Sequence, residues 1–471
     1  MKRAAGKVWN CGRLGILLLG VILAAQAAVF AAEEQPYVGS PERGYKTLLN
    51  TPIGAPVLSE KEYFNLWKYW PEPLQTQAEK ASEAERQEMA RSRYGFQLSP
   101  DRKGPIPQQF TVTKERMLTV NCLACHGGPV EGTVIPGAGN SLLAMETLNE
   151  DLLRLRTVHP QPAPELAVPL PPDLPPVHYY KALGVNNAFS EAVAFLSVRD
   201  LDINRTPDLQ FPVSKEAMDL PARTPAWWLS HRKTRYYYDA FIAKSHRDIM
   251  QFAFEFSIDR KTILGWENDF KDIYAYIESL RPPAYPHAVD QTLAETGKNI
   301  YMQNCAGCHG TVGANGRYPE KVFPLAMIGT DTVRALNFPK AFKERLAAGW
   351  TGYFGETPVF PDTGGYVAPP MDGIWARAPY LHNGSVPTLW HLLTPESRPA
   401  IWTSTENGFD QKRVGAEITA HDAIPKGLPA DERRRYFETS MNGLGNQGHN
   451  YPPEGLPEKE KTALIEYMKT L

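Results

Sequence analysis

The chain of 471 residues contains only five cysteines. Four of them stand in two close pairs, Cys122 with Cys125 and Cys305 with Cys308, and the fifth is Cys11 near the N-terminus. Because each close pair belongs to a motif described below, no two thiols remain for a structural disulfide. This excludes a small scaffold held together by disulfides.

An excess of charge of either sign is also missing. The 50 Lys and Arg nearly balance the 52 Asp and Glu, leaving a net charge of -2. No bulk attraction to nucleic acids or acidic membranes is therefore expected. Proline, in contrast, is plentiful at 42 residues, where an average chain has about 5%. We expect a loop-rich globular protein with extended surface connectors such as 160–176.

Long apolar runs are absent after the N-terminal segment, so the mature protein is expected to be soluble. In that segment an apolar run over 15–30 ends in small residues and follows the basic residues Lys2, Arg3, Lys7 and Arg13. This order is typical of a secretory signal. We predict a signal peptide over 1–32, cleaved near Ala31 or Ala32, and a periplasmic or secreted protein. The alternative is an uncleaved anchor, although the run is shorter than the roughly 20 residues needed to span a membrane.

Each close cysteine pair is part of a C-x-x-C-H motif, Cys122–His126 and Cys305–His309. This is the attachment motif of haem c, in which two thiols bond the porphyrin and the histidine binds iron. A zinc site is the alternative for C-x-x-C pairs, but a histidine directly after the second cysteine is not a zinc spacing. We predict two covalently bound haem c groups with His126 and His309 as iron ligands.

The two halves of the sequence repeat one plan. Residues 113–126 and 296–310 are predicted to be helices that carry the haem cysteines, and 267–280 and 457–471 are predicted to be closing amphipathic helices. Their apolar residues recur at helical spacing: Phe270, Ile273, Tyr274 and Ile277, then Leu464, Ile465, Met468 and Leu471. The fold class expected is mainly α, with two c-type cytochrome domains. Three prolines in 281–288 predict a linker, which divides the chain into domains 33–285 and 286–471.

A second repeat relates 224–240 to 369–385. Both segments carry a proline, a tryptophan and a basic residue, and then an aromatic or aliphatic stretch that leads to Asp or Asn. So many apolar side chains favour burial, and a haem face is the natural partner.

With these motifs the chain resembles the bacterial dihaem cytochrome c peroxidase superfamily. The resemblance rests on the two C-x-x-C-H motifs and on APYLHNGSVPTL at 378–389. The chain is most similar to the branch that contains the dihaem rubber oxygenase, through segments that include 43–50, 66–81, 272–283 and 445–456. The resemblance implies a dihaem cytochrome c peroxidase-like fold over nearly the whole mature chain.

The sixth ligand of each iron separates catalysis from electron transfer, because an open position binds peroxide or O2. After the first motif, 127–158 contain no histidine, which favours an open first haem, as the resemblance also implies. The alternative is that His159 or His178 folds back as a ligand.

For the second haem the candidates are His449, Met371, Met441 and His382. His449 is favoured because GNQGHN is a glycine-rich turn that lets the backbone approach a porphyrin, and the resemblance places a distal histidine there. His382 in YLHNGS is expected to hydrogen-bond near the haem rather than to bind iron.

Three further residues are candidates for catalysis. Trp228 matches the inter-haem tryptophan that the resemblance implies, with plain aromatic core or Trp227 as the alternatives. Gln251 and Glu255 are candidate distal acid–base groups because peroxide cleavage needs a polar group near the bound oxygen. Phe252, Phe254 and Phe256 make that segment apolar, which suits O2 or an apolar substrate better than peroxide.

The sequence thus predicts a dihaem c-type oxidoreductase that activates peroxide or O2 at an open first haem, with the second haem as an electron relay. A small redox protein, either a cytochrome or a cupredoxin, is the expected partner. The alternatives are a non-catalytic electron-transfer protein and a haem-based gas sensor.

Overall fold

Two pairs of packed helices frame the C-x-x-C-H motifs in the computed structural model, which describes residues 37–158, 169–177, 181–313 and 315–471. The predicted signal peptide, His159 and His178 lie outside the described residues. In the part of the chain that is described, no helix is long and apolar enough to cross a membrane.

The predicted closing helices are confirmed at Glu267–Ser279 and Glu458–Lys469. In the second half, Glu458–Lys469 lies along the helix Gln291–Asn304, which Asp290 caps by accepting from the backbone N–H groups of Thr292 and Leu293. Gly297 allows this close approach, because a Cβ there would lie 1.9 Å from the carbonyl oxygen of Ala463. The second motif follows directly as the short helix Ala306–His309.

In the first half, the helix that packs on Glu267–Ser279 is Pro41–Asn50, not 113–126. Gly44 has the role of Gly297, since a Cβ at Gly44 would lie 2.1 Å from the carbonyl oxygen of Asp272. The helix predicted over 113–126 is wrong for most of its length. Met117–Val120 is a strand, because its β-branched and apolar side chains fit the centre of a small sheet. Only Leu123–His126 is helical.

The mainly α fold class is not confirmed, because the described residues form a mixture of helix and sheet, with 41% in helices, 3-10 segments included, and 13% in strands. The α-helices span Pro41–Asn50, Glu60–Asn65, Leu74–Lys80, Glu83–Tyr94, Leu123–His126, Met145–Val158, Ala188–Ser197, His246–Met250, Arg260–Gly265, Glu267–Ser279, Gln291–Asn304, Ala306–His309, Leu325–Ile328, Val333–Asn337, Lys340–Ala348, Leu389–Leu393, Ala430–Arg433 and Glu458–Lys469. Short 3-10 segments span Leu66–Tyr69, Glu216–Met218, Trp227–Arg232, Gln251–Ala253, Trp350–Gly355, Ile374–Arg377 and Pro395–Ser397. The backbone of Trp350–Gly355 is kinked at Tyr353 and Phe354.

The strands form small antiparallel sheets at the edges of the helical framework. One sheet has Met117–Val120 between Pro56–Ser59 and Phe110–Val112. Another has Ile401–Asp410 between Gly415–Ala420 and Phe437–Glu438. Two-stranded pairs join Val322–Pro324 to Gly365–Val367, Pro129–Val130 to Thr133–Val134, Val185–Asn186 to Ala222–Arg223, and Arg235–Tyr236 to Ile242–Ala243.

The two halves exchange core residues. The larger apolar cluster is built mainly from the first half and also contains Phe338, Phe342 and Trp350. The cluster around Gln291–Asn304 and Glu458–Lys469 contains Trp228 and Leu229 of the first half. Residues 39–471 accordingly form one compact unit. The boundary at residue 285 stays a prediction.

Candidate haem site

A cavity of about 1060 Å³ lies between the two halves of this unit and is lined by both C-x-x-C-H motifs. Its volume is at the upper end of the range of about 300–1,000 Å³ that small-molecule sites usually have. All four motif cysteines line it as free thiols: Cys122, Cys125, Cys305 and Cys308. Their placement in one cavity satisfies the first requirement for covalent haem.

The first motif is held by backbone contacts around Leu123–His126. Asn140 donates from its backbone N–H to Cys125 O at 2.8 Å and from Nδ2 to Ala124 O at 3.0 Å. His126 faces the cavity, away from bulk solvent, and burial lowers its pKa to about 3, opposed by the carbonyl of Pro225. Among the described residues, Nδ1 of His126 has no partner at hydrogen-bonding geometry. The imidazole is therefore neutral at pH 7, which is the form that binds metals.

The second motif shows a more complete arrangement. Nδ1 of His309 donates to the carbonyl of Pro369 at 2.8 Å, which leaves Nε2 available for iron. Burial is the largest cause that lowers the pKa of His309. Pro225 and Pro369 thus face the two motif histidines from the starts of the repeated segments 224–240 and 369–385. The sequence did not predict that each proline carbonyl contacts a motif histidine. The proline that both segments share was the sequence feature that could have indicated this contact.

His449 faces His309 across the cavity, with ring centroids 6.0 Å apart. The backbone of His449 is left-handed at φ 53, and its N–H donates to Ile328 O at 2.7 Å. Arg398 fixes the loop by donating to the carbonyl of Gly448 at 2.8 Å. Burial, followed by the charges of His309 and Arg398, lowers the pKa of His449 to about 3.

The spacing of the two rings fits a metal between them. A metal ion that bonds one nitrogen of each of two opposed imidazoles at about 2.0 Å separates the ring centres by roughly 6.4 Å. The observed 6.0 Å is close to that value. Nδ1 of His449 is also without a hydrogen-bond partner. The residues present therefore fit a haem whose iron is bound by His309 and His449.

The other candidates for the sixth position are placed differently. Met371 lines the cavity but lies two residues after Pro369, whose carbonyl accepts from Nδ1 of His309 and not from Nε2, the nitrogen left for iron. Met441 packs near Trp402 and Phe437 and does not line the cavity. His382 lines it with Nε2 unpartnered, its ring 4.4 Å from that of Tyr366.

His126 has different neighbours from His309. Within the described residues, the ring that stacks on His126 is Trp227, at 4.5 Å between centroids and 16° between planes. The part of the wall contributed by the first half is mainly apolar, and includes Ile53, Ala55, Phe195, Phe252 and Phe256.

The candidate acid–base residues separate in the structure. Glu255 lines the cavity and accepts from the backbone N–H of Ala55 at 3.1 Å. Gln251 is buried outside the lining, where its Nε2 donates to Tyr237 Oη at 2.9 Å and to Asp248 O at 2.8 Å. Glu255 alone of the two is brought to the cavity.

The two tryptophans connect the motifs from different positions. Trp227 lines the cavity against His126, whereas Trp228 is 1% exposed and does not line it. Trp228 reaches the second half, where Nε1 donates to the carbonyl of Asp372 at 3.0 Å. Asp372 lies three residues after Pro369, whose carbonyl contacts His309. Trp227 and Trp228 are adjacent in the 3-10 segment Trp227–Arg232. Trp227 therefore contacts His126, and Trp228 contacts the surroundings of His309.

Comparison with known proteins supports cytochrome c character in the second half. Residues 365–403 match the family described as RoxA-like, cytochrome c-like, and residues 292–351 match cytochrome C oxidase, cbb3-type, subunit III. Two proteins of Sinorhizobium fredii are similar over part of the chain. The uncharacterized protein y4iM is 33% identical over 37% of this chain and 45% of its own length. The uncharacterized protein y4iJ is 30% identical over 41% of each chain.

The chain thus spans less than half the length of these curated relatives. The family matches cover the second C-x-x-C-H motif and the segment that contains Pro369 and His382. They show cytochrome c-like sequence near the C-terminus, which is the kind of sequence that binds haem c covalently.

Proposed function

We propose that this cytochrome c-like protein is a secreted or periplasmic oxidoreductase that holds one haem at each C-x-x-C-H motif. It activates peroxide or O2 at the first motif and relays electrons at the second. Haem iron with an open sixth position supplies binding and activation of such ligands, whereas iron with two protein ligands supplies electron transfer.

The observation that carries the proposal is the different surroundings of the two motif histidines. His309 faces His449 at a ring spacing that suits a shared metal. Among the described residues, no histidine is placed against His126 in this way, and its ring contact is Trp227. This difference supports a closed second site and an open first site, with the alternative ligands His159 and His178 outside the described residues.

The side chains around the first motif suit a small, weakly polar oxidant. Phe195, Phe252 and Phe256 exclude water from the wall. Glu255 is the carboxylate on that wall that can hold and deliver a proton, while the N–H of Ala55 keeps it in place. Trp227 and Trp228 provide a packed aromatic connection toward Asp372 and the second motif.

Carbon monoxide binding to the reduced, haem-loaded protein tests the proposal. CO should change the spectrum of one haem out of two. No CO-induced change would exclude oxygen or peroxide activation and also gas sensing, and would leave a protein that only transfers electrons.

Electron transfer alone is the second candidate function, and it is favoured by the His309–His449 pair and by the cytochrome c matches. To separate it from catalysis, oxidation of a reduced donor cytochrome is measured with and without peroxide. Peroxide-dependent oxidation identifies the enzyme.

The proposed location and partner need separate tests. The basic and apolar N-terminal segment supports export, so the mature protein recovered from the periplasm or medium should begin near Glu33. Rates of electron exchange with a small cytochrome and with a cupredoxin should identify the donor. An uncleaved N-terminus would contradict the signal-peptide proposal without affecting the haem sites.

A further inference from the structure

A buried guanidinium faces the cavity without hydrogen bonds. Arg334 lies in the helix Val333–Asn337, is 1% exposed and lines the cavity. Its Nε, Nη1 and Nη2 atoms have no hydrogen-bond partner within the described structure. The other buried arginines of the lining differ, since Arg223 donates to Ala378 O at 3.0 Å and Arg377 donates to Pro370 O at 2.7 Å. A buried charged donor without a partner is strongly disfavoured.

The charges beside Arg334 do not balance it. Asp239 accepts from Lys343 Nζ at 2.7 Å through Oδ2, and its Oδ1 lies 3.7 Å from Arg334 Nη1. All three side chains are at most 5% exposed. Two cations thus share one carboxylate, and the group keeps one positive charge inside the protein. Buried ions need both a counter-charge and hydrogen bonds.

The surroundings of Arg334 hold its guanidinium in place. Its Cζ lies 5.0 Å from the ring centroid of Phe189 and 5.5 Å from the centroids of Tyr238 and Phe338. These aromatic faces stabilise the cation but accept no conventional hydrogen bond. The five N–H donors are therefore preorganised for a planar acceptor, and a carboxylate matches them in two parallel hydrogen bonds.

Other unpartnered polar atoms line the same cavity. Thr330 Oγ1 and His382 Nε2 are buried and have no hydrogen-bond partner among the described residues. The ring of His382 lies on Tyr366, whose hydroxyl accepts from the backbone N–H of Ala335, the residue after Arg334. Thr330 adjoins the loop of His449, since a Cβ at Gly448 would lie 2.4 Å from the backbone nitrogen of Thr330. Thr330 thus places an unpartnered polar atom on the side of the cavity where His449 lies.

We infer that Arg334 binds a carboxylate in this cavity, and that the carboxylate is a propionate of the haem held by His309 and His449. The inference deepens the proposed function only in its second haem, and it does not depend on peroxide or O2 activation. The propionate neutralises the charge that Asp239 leaves unmatched. In return, the buried cation stabilises the extra electron of the reduced haem.

The test is the reduction potential of each haem in the full-length, haem-loaded protein, followed spectroscopically so that the two haems are distinguished. Arg334→Gln should lower the potential of the low-spin haem, because a neighbouring positive charge is lost. Asp239→Asn should raise it, because Arg334 and Lys343 then lack their carboxylate. Arg345→Gln is the matched control, since Arg345 lies on the next helix outside the cavity lining, and it should leave both potentials unchanged.

Two further measurements keep the outcome decisive. Arg334→Lys keeps the charge, so it should retain most of the wild-type potential and haem content even where Arg334→Gln loads haem poorly. Titration with acetate distinguishes the source of the carboxylate. A wild-type spectrum that responds to acetate, with no response in Arg334→Gln, would show a site for free carboxylates and overturn the propionate assignment. Unchanged potentials in both Arg334→Gln and Asp239→Asn would overturn the whole inference, whatever the CO and peroxide results.

Discussion

Tyr238 and His382 each lie thirteen residues after the proline that faces a motif histidine, Pro225 or Pro369, and their rings meet edge to face with centroids 6.0 Å apart. The carbonyl of Tyr238 accepts the N–H of Val367 at 2.7 Å, and the carbonyl of His382 accepts the N–H of Arg223 at 2.8 Å. Counted from Pro225 and Pro369, Arg223 and Val367 also match. The two backbone hydrogen bonds are therefore equivalent, because each half donates one and accepts the other. Such reciprocal contacts are typical of an interface with two-fold symmetry.

This reciprocal pairing explains why two motifs so far apart in the chain line one cavity. The repeated segments meet at their ends, and each presents its proline carbonyl to the histidine of its own motif. The surroundings of the two motif histidines differ, because the loop of His449 lies opposite His309, whereas among the described residues the ring beside His126 is Trp227.

Replacement of His449 is expected to change the spin state of one haem. His449→Ala removes the ring opposite His309, so one of the two haems should convert from low-spin to high-spin. Met371→Leu is the control, since Met371 lies two residues after Pro369, whose carbonyl accepts from Nδ1 of His309, and it should keep the low-spin signal. Optical and magnetic spectra of the oxidised proteins measure this. A low-spin haem that persists in His449→Ala and is lost in Met371→Leu would assign the ligand to Met371.

Two glycines are expected to control helix packing around the motifs. Gly297→Ala and Gly44→Ala place a Cβ within 1.9 Å and 2.1 Å of a backbone oxygen of the facing helix. Each should lower the free energy of unfolding by about 1–3 kcal/mol, because the helices must separate. Gly265→Ala is the control, since nothing lies within 4 Å of its Cβ position, and denaturant unfolding compares the three. Equal stability of Gly297→Ala and Gly265→Ala would show that the helices are not closely packed.

The stability of the protein is expected to depend on pH through His382. Burial, with a smaller contribution from Arg334, lowers its pKa to about 3, whereas an unfolded histidine has a pKa of about 6.5. The unfolded state therefore binds more protons below pH 6.5, and stability falls as the pH falls toward 3. Between pH 7 and pH 5 this histidine should account for about 2 kcal/mol.

Unfolding by urea at the two pH values measures this dependence. His382→Gln should lose about 2 kcal/mol less than the wild type between pH 7 and pH 5. The comparison isolates His382 because the other buried histidines are present in both proteins. An identical loss in both proteins would mean that His382 is already protonated in the folded state, or exposed.

Glu255 is expected to support peroxide turnover. Glu255→Gln removes the proton-holding group from the apolar wall, and the peroxide-dependent rate should fall about 100-fold. CO binding by the reduced protein should be retained, which separates loss of proton transfer from loss of the site. Glu191→Gln, another carboxylate of the lining beside Cys125, is the comparison and should have a smaller effect. Wild-type turnover by Glu255→Gln would remove Glu255 from the mechanism.

The sequence predicted those parts of the fold that depend on interactions between residues close together in the chain. The C-x-x-C-H spacing and the apolar periodicity of Glu267–Ser279 and Glu458–Lys469 need only a few neighbouring residues to be recognised. The pairing of Pro41–Asn50 with Glu267–Ser279 depends on residues more than two hundred positions apart. The signal was Gly44 in RGYKTLL, which matches Gly297 in TGKNIYM.

The arrangement of the site was less accessible from sequence. Nothing local distinguishes Trp227 from Trp228, because only the 3-10 turn decides that Trp227 faces the cavity and Trp228 faces Asp372. In the same way, Gln251 and Glu255 are four residues apart, but the helix ends at Met250 and a turn follows, so only Glu255 reaches the lining. Arg334 was not predicted as a site residue, because its guanidinium is distinguished by the absence of hydrogen-bond partners among the described residues. A sequence does not show such an absence.

Electron paramagnetic resonance of the oxidised, haem-loaded protein tests the central claim most directly. The two sites should give one high-spin and one low-spin haem per chain, since in the proposed arrangement His309 and His449 would bind one iron and His126 would be the one protein ligand of the other. Two low-spin haems in equal amounts would show that both irons are closed, and would contradict the assignment of the first motif as the site of oxidant binding.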